Sequence, residues 1–379
     1  MSGFTEFCRS HAPIVVAEIG TSHQGDLTRG LELVDASADA GAHVAKFQVI
    51  FADEILPPEA GLVQLPGGAI SLFRVLKSLE RPVEFYGALK ERTLSRGLKF
   101  LASPFGEKGF ELLEEIGVEA WKIASPELNH EELLETLART GKPLILSTGV
   151  SEIEDIRRAL EVVESVFPRG QSAILLHCLT SYPAPEGQAN LRTIQTLKKT
   201  FGLPVGISDH SRHAVLIPAL ASALGAIVIE KHITLSRDAG GLDDLVALNP
   251  EEFARMYDAV IRYAAPRNRK FEALEAHLAA TIEELAGGYG RERVEMALGN
   301  GIKCLARSEI ANYHRSNRSL HAIRALPAGT LVSKQNSAIL RTEHNLRPGI
   351  EPRHRYLAYG RRLANNIPSG EGIRWKDLE

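Results

Sequence analysis

Short apolar runs recur along the chain, and helical spacing follows nearly every one. The runs are IVVAEIG (14–20), HVAKFQVI (43–50), LKFLASPF (98–105), EAWKIAS (119–125), PLILSTG (143–149), AILLHC (173–178), LPVGIS (203–208) and AIVIEKH (226–232). Helical patterns lie between them, at 27–41, 83–95, 109–115, 131–140, 152–163, 191–200 and 213–224. Runs this short and this uniformly apolar suit parallel strands buried on both faces. Eight such units predict an α/β fold, a (β/α)8 barrel closing near Ile261. The alternative is an open doubly wound sheet, but no glycine-rich phosphate fingerprint follows the first run.

The pattern changes beyond the barrel. A charged helical segment begins at Pro266 and reads as an extra surface helix, with a charged linker after it. The remainder is poor in large apolar residues and carries two similar turns, LPAG at 326–329 and IPSG at 367–370. Paired Pro–Gly turns followed by short strands suit a small pseudo-symmetric β-structure. The expected organisation is therefore a barrel over 1–265, an insertion and linker over 266–317, and a small β-rich domain over 318–379. About 60 residues make a marginal core, so this domain should pack on a larger surface.

Composition narrows the classes. The 379 residues carry a formal charge of −3 and no basic block, so nothing points to nucleic acid or a membrane surface. Cys8, Cys178 and Cys304 form no CxxC pair, which argues against a disulfide scaffold or a cysteine zinc site. The opening MSGFTEFCRSH has no long apolar region and does not read as a signal peptide. No run approaches the roughly 20 residues of a membrane span, and a reducing cytoplasm is the expected location.

Candidate chemistry gathers where the strands end, the face on which parallel α/β proteins place their ligands. His210 and His232 close two neighbouring runs, with Asp209, Glu230 and Asp243 nearby. One strand-end histidine is more often a cap than a ligand. Two on adjacent strands make half of a metal site. Glu18, Lys46, Gln48, Ser103, Lys122, Ser125, Glu127, Ser147, Thr148, His177 and Ser208 complete the ring of polar ends. Lysines among hydroxyls form a phosphate cradle. A divalent ion on the histidines would polarise a carbonyl, and Glu18, Glu127 and Asp243 would orient water and move protons. The set is compatible with carbon–carbon bond formation from phosphoenolpyruvate, though chemistry alone does not single that reaction out.

The motifs resemble those of the sialic acid synthase (NeuB-type) family. They are AEIGTSHQG (17–25), AKFQ (45–48), KIASPE (122–127), LSTG (146–149), LHCLTSYPAP (176–185), ISDH (207–210), EKHIT (230–234) and GLD (241–243), in order across the whole barrel. The resemblance implies that His210 and His232 hold Mn²⁺ or Mg²⁺, and that Lys46, Lys122, Ser125, Ser147 and Ser208 hold phosphoenolpyruvate. It implies Gln48, Tyr182 and Asp243 at the acceptor sugar, with Glu18 and Glu127 beside water and the reacting carbons. This chain departs from the family pattern at Ser22, Pro126, Thr180 and Leu242, mostly around the sugar. The terminal residues resemble an antifreeze-like (SAF) domain. In the family that domain covers the partner subunit's barrel and lends an arginine to the sugar. Arg347 in LRPGIEP is the candidate here, Arg341 its rival, and a domain-swapped homodimer is expected. The reaction implied joins phosphoenolpyruvate to an N-acylated amino sugar aldehyde, giving a nonulosonic acid and phosphate. The alternatives are a metal-dependent aldolase or lyase, or a synthase acting on a different aldose.

Overall fold

Side chains alternate along a strand, so each barrel strand has an inward and an outward row, and here the rows meet different surroundings. The computed structural model describes residues 3–11, 13–65, 68–166, 173–266 and 271–379. The strands are β1 (Ile14–Gly20), β2 (Val44–Val49), β3 (Leu62–Leu65), β4 (Gly68–Ser71), β5 (Lys99–Pro104), β6 (Trp121–Ile123), β7 (Leu144–Ser147), β8 (Ala173–Cys178), β9 (Val205–Asp209), β10 (Val228–His232), β11 (Arg318–Ala322) and β12 (Ser337–Arg341). Eight of them form one parallel sheet in the order β5-β2-β1-β10-β9-β8-β7-β6, and β5 and β6 approach each other at the seam. The expected barrel and its eight strands are all present.

Outward residues such as Val15, Ala17, Phe47, Trp121, Leu146 and Ile229 belong to the main core, shared with the surrounding helices. Inward residues low in the barrel, Ile14, Val16, Val44, Leu101, Ile145, Ile174, Leu176 and Val228, form a second apolar cluster. Phe4 and Cys8 of the helix Gly3–His11 join that cluster, so the opening residues plug the floor. Gly206 fits this layer because a Cβ there would lie 2.8 Å from Leu176 Cδ2 and 2.4 Å from the Val228 carbonyl. Two residues further along the same inward rows stand Glu18, Lys46, Ser103, Lys122, Ser147, Ser208 and Glu230. The barrel interior is therefore apolar below and ionic above.

The helix Pro250–Arg262, started by an Asn249–Glu252 capping box, follows the last barrel strand. The helix Phe271–Tyr289 is not merely a surface addition. Its Leu285 is buried and joins the main core with Val294, Ala297 and Leu298 of the next helix, Arg291–Leu298. Residues 267–270 of the expected insertion lie outside the described residues. Among the described residues no helix is long and apolar enough to cross a membrane.

The terminal domain is built on the antiparallel pair β11–β12 and a small core including Leu320, Leu326, Val332, Ile339, Leu363 and Ile367. The two similar turns pair with each other: Leu326 and Ile367 exchange backbone hydrogen bonds of 2.8 Å each way. Gly329 and Gly370, at the matching turn positions, have φ of +81° and +79°, which glycine adopts without Cβ strain. The domain docks on its own barrel. Leu346 enters an apolar cluster with Ile50, Ile55, Leu56, Leu76 and Phe105, beyond the carboxyl ends of β2 and β5.

Candidate active site

The neighbours of each inward polar residue follow from strand register. Glu18 stands beside Lys46 on one side and His232 on the other, and Glu230 beside Ser208. Lys46 Nζ lies 2.7 Å from Glu18 Oε2 and 3.8 Å from Glu230 Oε1. Lys122 Nζ donates to Ser147 Oγ at 2.7 Å and lies 3.7 Å from Glu230 Oε1. The Ser208 hydroxyl donates to the same Glu230 oxygen at 2.8 Å. Glu230 Oε2 and Ser103 Oγ are buried without a hydrogen-bond partner. Burial alone would raise the Glu230 carboxyl, but Lys122, Lys46 and the Ser208 hydroxyl together bring it down to about 2. Burial pushes the Lys122 ammonium down, with Glu230 opposing and Lys46 adding to the effect. Burial also opposes the charge on Lys46, but Glu18 and Glu230 outweigh it and raise that group.

A second convergence surrounds Gly20. Gln48 Nε2 donates to Glu18 Oε1 at 2.7 Å. A Cβ on Gly20 would lie 3.1 Å from both of those atoms and 3.6 Å from Asp243 Oδ2, and φ is +54°. Glycine is thus required by both backbone and space. Burial raises the Asp243 carboxyl. Its neighbour Asp244 is fully buried and structural, accepting from Ser22 Oγ at 2.7 Å and from the Gly241 N–H at 2.8 Å.

The paired histidines are where they were expected, their ring centroids 5.5 Å apart. Tyr182, half exposed, stacks on His210 at 4.3 Å. The Leu179 carbonyl lies 2.7 Å from His210 Nδ1, and Tyr182 OH lies 3.3 Å from Nε2. A proton on Nδ1 toward that carbonyl leaves the Nε2 lone pair for a ligand, which is how metal-bound imidazoles are oriented. Burial lowers His232 to about 3, so it is the neutral form a metal requires. Burial works against the His210 charge, yet neighbouring Cys178 and the Leu179 carbonyl bring it up to about 9, and a cation at Nε2 would take that proton's place. Among the described residues no three His, Cys, Asp or Glu side chains gather as a cation site. The two imidazoles are the neighbouring pair of nitrogen donors that a divalent ion would need as part of its shell.

Three expectations change. Glu127 is fully buried, but it is not left free beside the reacting centre. Arg318 Nε and Arg341 Nη2 each hold one of its oxygens at 2.6 Å, and both arginines come from the terminal domain of the same chain. Arg347 does not reach the barrel. It pairs within its own domain, 2.9 Å from Asp377 and 3.4 Å from Glu371, so Arg341 is the arginine turned toward the strand ends. Within this chain the terminal domain packs over the carboxyl ends of β2, β5 and β6 of its own barrel. His177, counted with the strand-end residues, sits on an outward position and bonds the Ala189 carbonyl at 2.7 Å. Arg318 was not anticipated, since an arginine opening a short apolar strand has no local signature. The parity of LKFLASP would have singled out Ser103 as inward.

The NeuB family model matches residues 33–270, and the SAF domain model matches residues 317–379. The chain belongs to the NeuB family. The spore coat polysaccharide biosynthesis protein SpsE of Bacillus subtilis is 34% identical over 374 residues, 97% of this chain and 94% of that one. Its crystal structure has a TM-score of 0.77 at 31% identity, covering 97% of this chain and 95% of that one. The N,N'-diacetyllegionaminic acid synthase of Legionella pneumophila is 30% identical over 371 residues, 96% of this chain and 94% of that one. The N-acetylneuraminic acid synthetase of Leptospira borgpetersenii, solved with citrate, has a TM-score of 0.60 at 32% identity over 74% of this chain and 93% of that one. This chain's departures from the NeuB pattern are accommodated locally. Ser22 anchors Asp244, and Pro126 lies in the short 3₁₀ turn Ser125–Glu127. Leu242 packs on the cluster that receives Leu346 of the SAF domain.

Proposed function

We propose that this protein condenses phosphoenolpyruvate with an N-acylated amino sugar aldehyde, releasing phosphate and forming a sialic-acid-like nonulosonic acid. The observation that carries this reading is the inward cluster of Lys46, Lys122, Ser147 and Ser208 beside paired imidazoles. Both lysines sit 3.7–3.8 Å from Glu230, longer than a hydrogen bond, and so keep donor capacity for an incoming anion. Lys46 and Lys122 hold the phosphate and carboxylate charges, with Ser125, Ser147 and Ser208 as hydroxyl donors. His210 and His232 would bind Mn²⁺ or Mg²⁺. A divalent ion there supplies Lewis-acid polarisation of the sugar aldehyde. Carbon 3 of phosphoenolpyruvate then bonds to the aldehyde carbon, water adds its oxygen at carbon 2, and the carbon–oxygen bond to phosphate breaks. Glu18, fixed by Lys46 and Gln48, and Asp243, raised by burial, would orient that water and take its proton. Gln48 and Tyr182 face the acceptor. The names of the relatives, synthases of legionaminic, pseudaminic and N-acetylneuraminic acids, support the class of product.

The test is a panel of N-acetylated and deoxygenated amino sugars, assayed for phosphate release with and without phosphoenolpyruvate and divalent metal, and the product weighed by mass spectrometry. Release that requires all three components, with product mass equal to sugar plus pyruvate, is the expected result. Turnover without phosphoenolpyruvate would point to an aldolase instead.

A further inference from the structure

Two loops that carry site residues are joined by a side chain from outside the barrel. The loop after β7 follows Ser147, and the loop after β8 leads to Tyr182. No backbone hydrogen bond links Val150 to Thr180 among the described residues. Glu309, in the linker before the SAF domain, lies between them and is 1% exposed. Its Oε1 accepts the Val150 N–H and the Thr180 N–H, each at 2.8 Å. Its Oε2 accepts the Ala306 N–H at 3.1 Å, which fixes the carboxylate to its own turn. The linker repeats the grip on both carbonyls: Asn317 Nδ2 donates to Val150 O at 3.1 Å and Asn312 Nδ2 to Thr180 O at 3.3 Å.

The backbone at the clamp is strained. Val150 is a buried, β-branched residue with φ of +39°. Such a residue persists in the left-handed region only where its surroundings over-determine it. The strain lies next to Gly149, whose N–H donates to Ser125 Oγ at 2.9 Å. A Cβ on Gly149 would lie 2.2 Å from Thr180 Oγ1, so the two loops are held at a separation that only glycine permits.

We infer that Glu309 is a positioning residue, a linker carboxylate that sets the spacing of the β7 and β8 loops and so the shape of the substrate pocket. A carboxylate suits the role because one ionised oxygen can accept two N–H groups strongly. Neither Val150 nor Thr180 can turn to water, since both are buried. The link also ties pocket shape to the seating of the SAF domain, because Arg318 follows in the same stretch and holds Glu127. The kinetic half of this inference rests on the synthase reading; the structural half does not.

The test uses the full-length protein and three variants, Glu309→Ala, Glu309→Gln and Glu309→Asp. Amide hydrogen exchange should show lost protection at 148–151 and 179–182 in Glu309→Ala, with β1, β2 and β9 unchanged. Glu309→Gln keeps an oxygen at Oε1 and should restore much of the protection. Glu309→Asp, one methylene shorter, should restore less. In the phosphate-release assay kcat/KM should fall by about 10²-fold in Glu309→Ala, the scale of an ångström-sized misplacement, and recover in Glu309→Gln. Should Glu309→Ala fail to fold, Glu309→Gln and Glu309→Asp decide the matter by the same ranking. Unchanged exchange at both loops, a uniform loss across the barrel, or Asp rescuing better than Gln would each overturn the clamp. A wild-type protein that releases no phosphate yet shows the exchange pattern would overturn the synthase reading and leave the clamp standing.

Discussion

Two buried glutamates, each facing two cations, show how differently this barrel uses the same ingredients. Glu230 stands inside the barrel with Lys46 and Lys122 at 3.8 and 3.7 Å, and one of its oxygens has no hydrogen-bond partner. Glu127 lies just past β6 with both oxygens taken at 2.6 Å by Arg318 and Arg341. Burial would raise the Glu127 carboxyl, but these arginines hold it far below the usual carboxylate range. The lysines are single charges on flexible stems, and their contact with Glu230 is slack. An anionic ligand can share them without breaking a fixed geometry. The guanidinium groups are planar forks that leave Glu127 saturated. The first arrangement leaves cations able to take up an anion; the second is a latch between domains.

The sharpest way to break this comparison is Glu127→Ala. It leaves Arg318, 1% exposed, without its counter-ion, and breaking a buried pair in this way costs on the order of 3–5 kcal/mol. Urea unfolding should show it, and a loss under about 1 kcal/mol would mean that Glu127 is no latch.

Acid should come next in size. Burial lowers His177, in the barrel, and His321, in the SAF domain, from 6.5 to about 4. The unfolded chain binds these protons first, so stability should fall as pH drops from 6.5 toward 4 and their contribution should then level off. Each group contributes at most about 3 kcal/mol by linkage. Below 4.5 Glu230 adds to the loss, because its folded value of about 2 means that only the unfolded carboxyl takes up protons in that window. Denaturant midpoints measured across pH 7 to 4 check the sign, and His321→Gln should remove the SAF domain's share.

Lys122→Met removes one of the two cations from Glu230 and the donor to Ser147. A charge-assisted contact of about 1.5–3 kcal/mol should raise the half-saturating phosphoenolpyruvate concentration roughly 10–100-fold. An unchanged value would remove Lys122 from the phosphate cradle. The smallest effect should come from Arg347→Ala. Its guanidinium is 30% exposed and, among the described residues, pairs within its own domain, so it should cost at most about 1 kcal/mol and leave phosphate release unchanged. A tenfold loss of turnover would return Arg347 to the site in place of Arg341.

The sequence by itself determined the barrel, because eight apolar runs at βα spacing have few other ways to bury both faces. It also marked the strand ends as the place where polar residues gather. Period-two alternation from Val16, Val44 and Val228 carries Glu18, Lys46 and Glu230 inward there, whereas His177, counted with the same ring, falls on an outward position that only the structure revealed. The paired turns of the SAF domain were legible for the same reason, since LPAG and IPSG impose similar local geometry. Contacts between segments far apart in the chain were not legible. Glu127 meets Arg318 across 191 positions and Arg341 across 214, and Glu309 meets Val150 across 159. No local pattern marks such partners, because burial of a charge is decided by which surfaces close over it. Pairing Arg341 with Glu127 and Arg347 with Asp377, packing the SAF domain against the barrel of the same chain and clamping two loops with one carboxylate were decisions of the tertiary structure, made where buried donors and acceptors had to find each other.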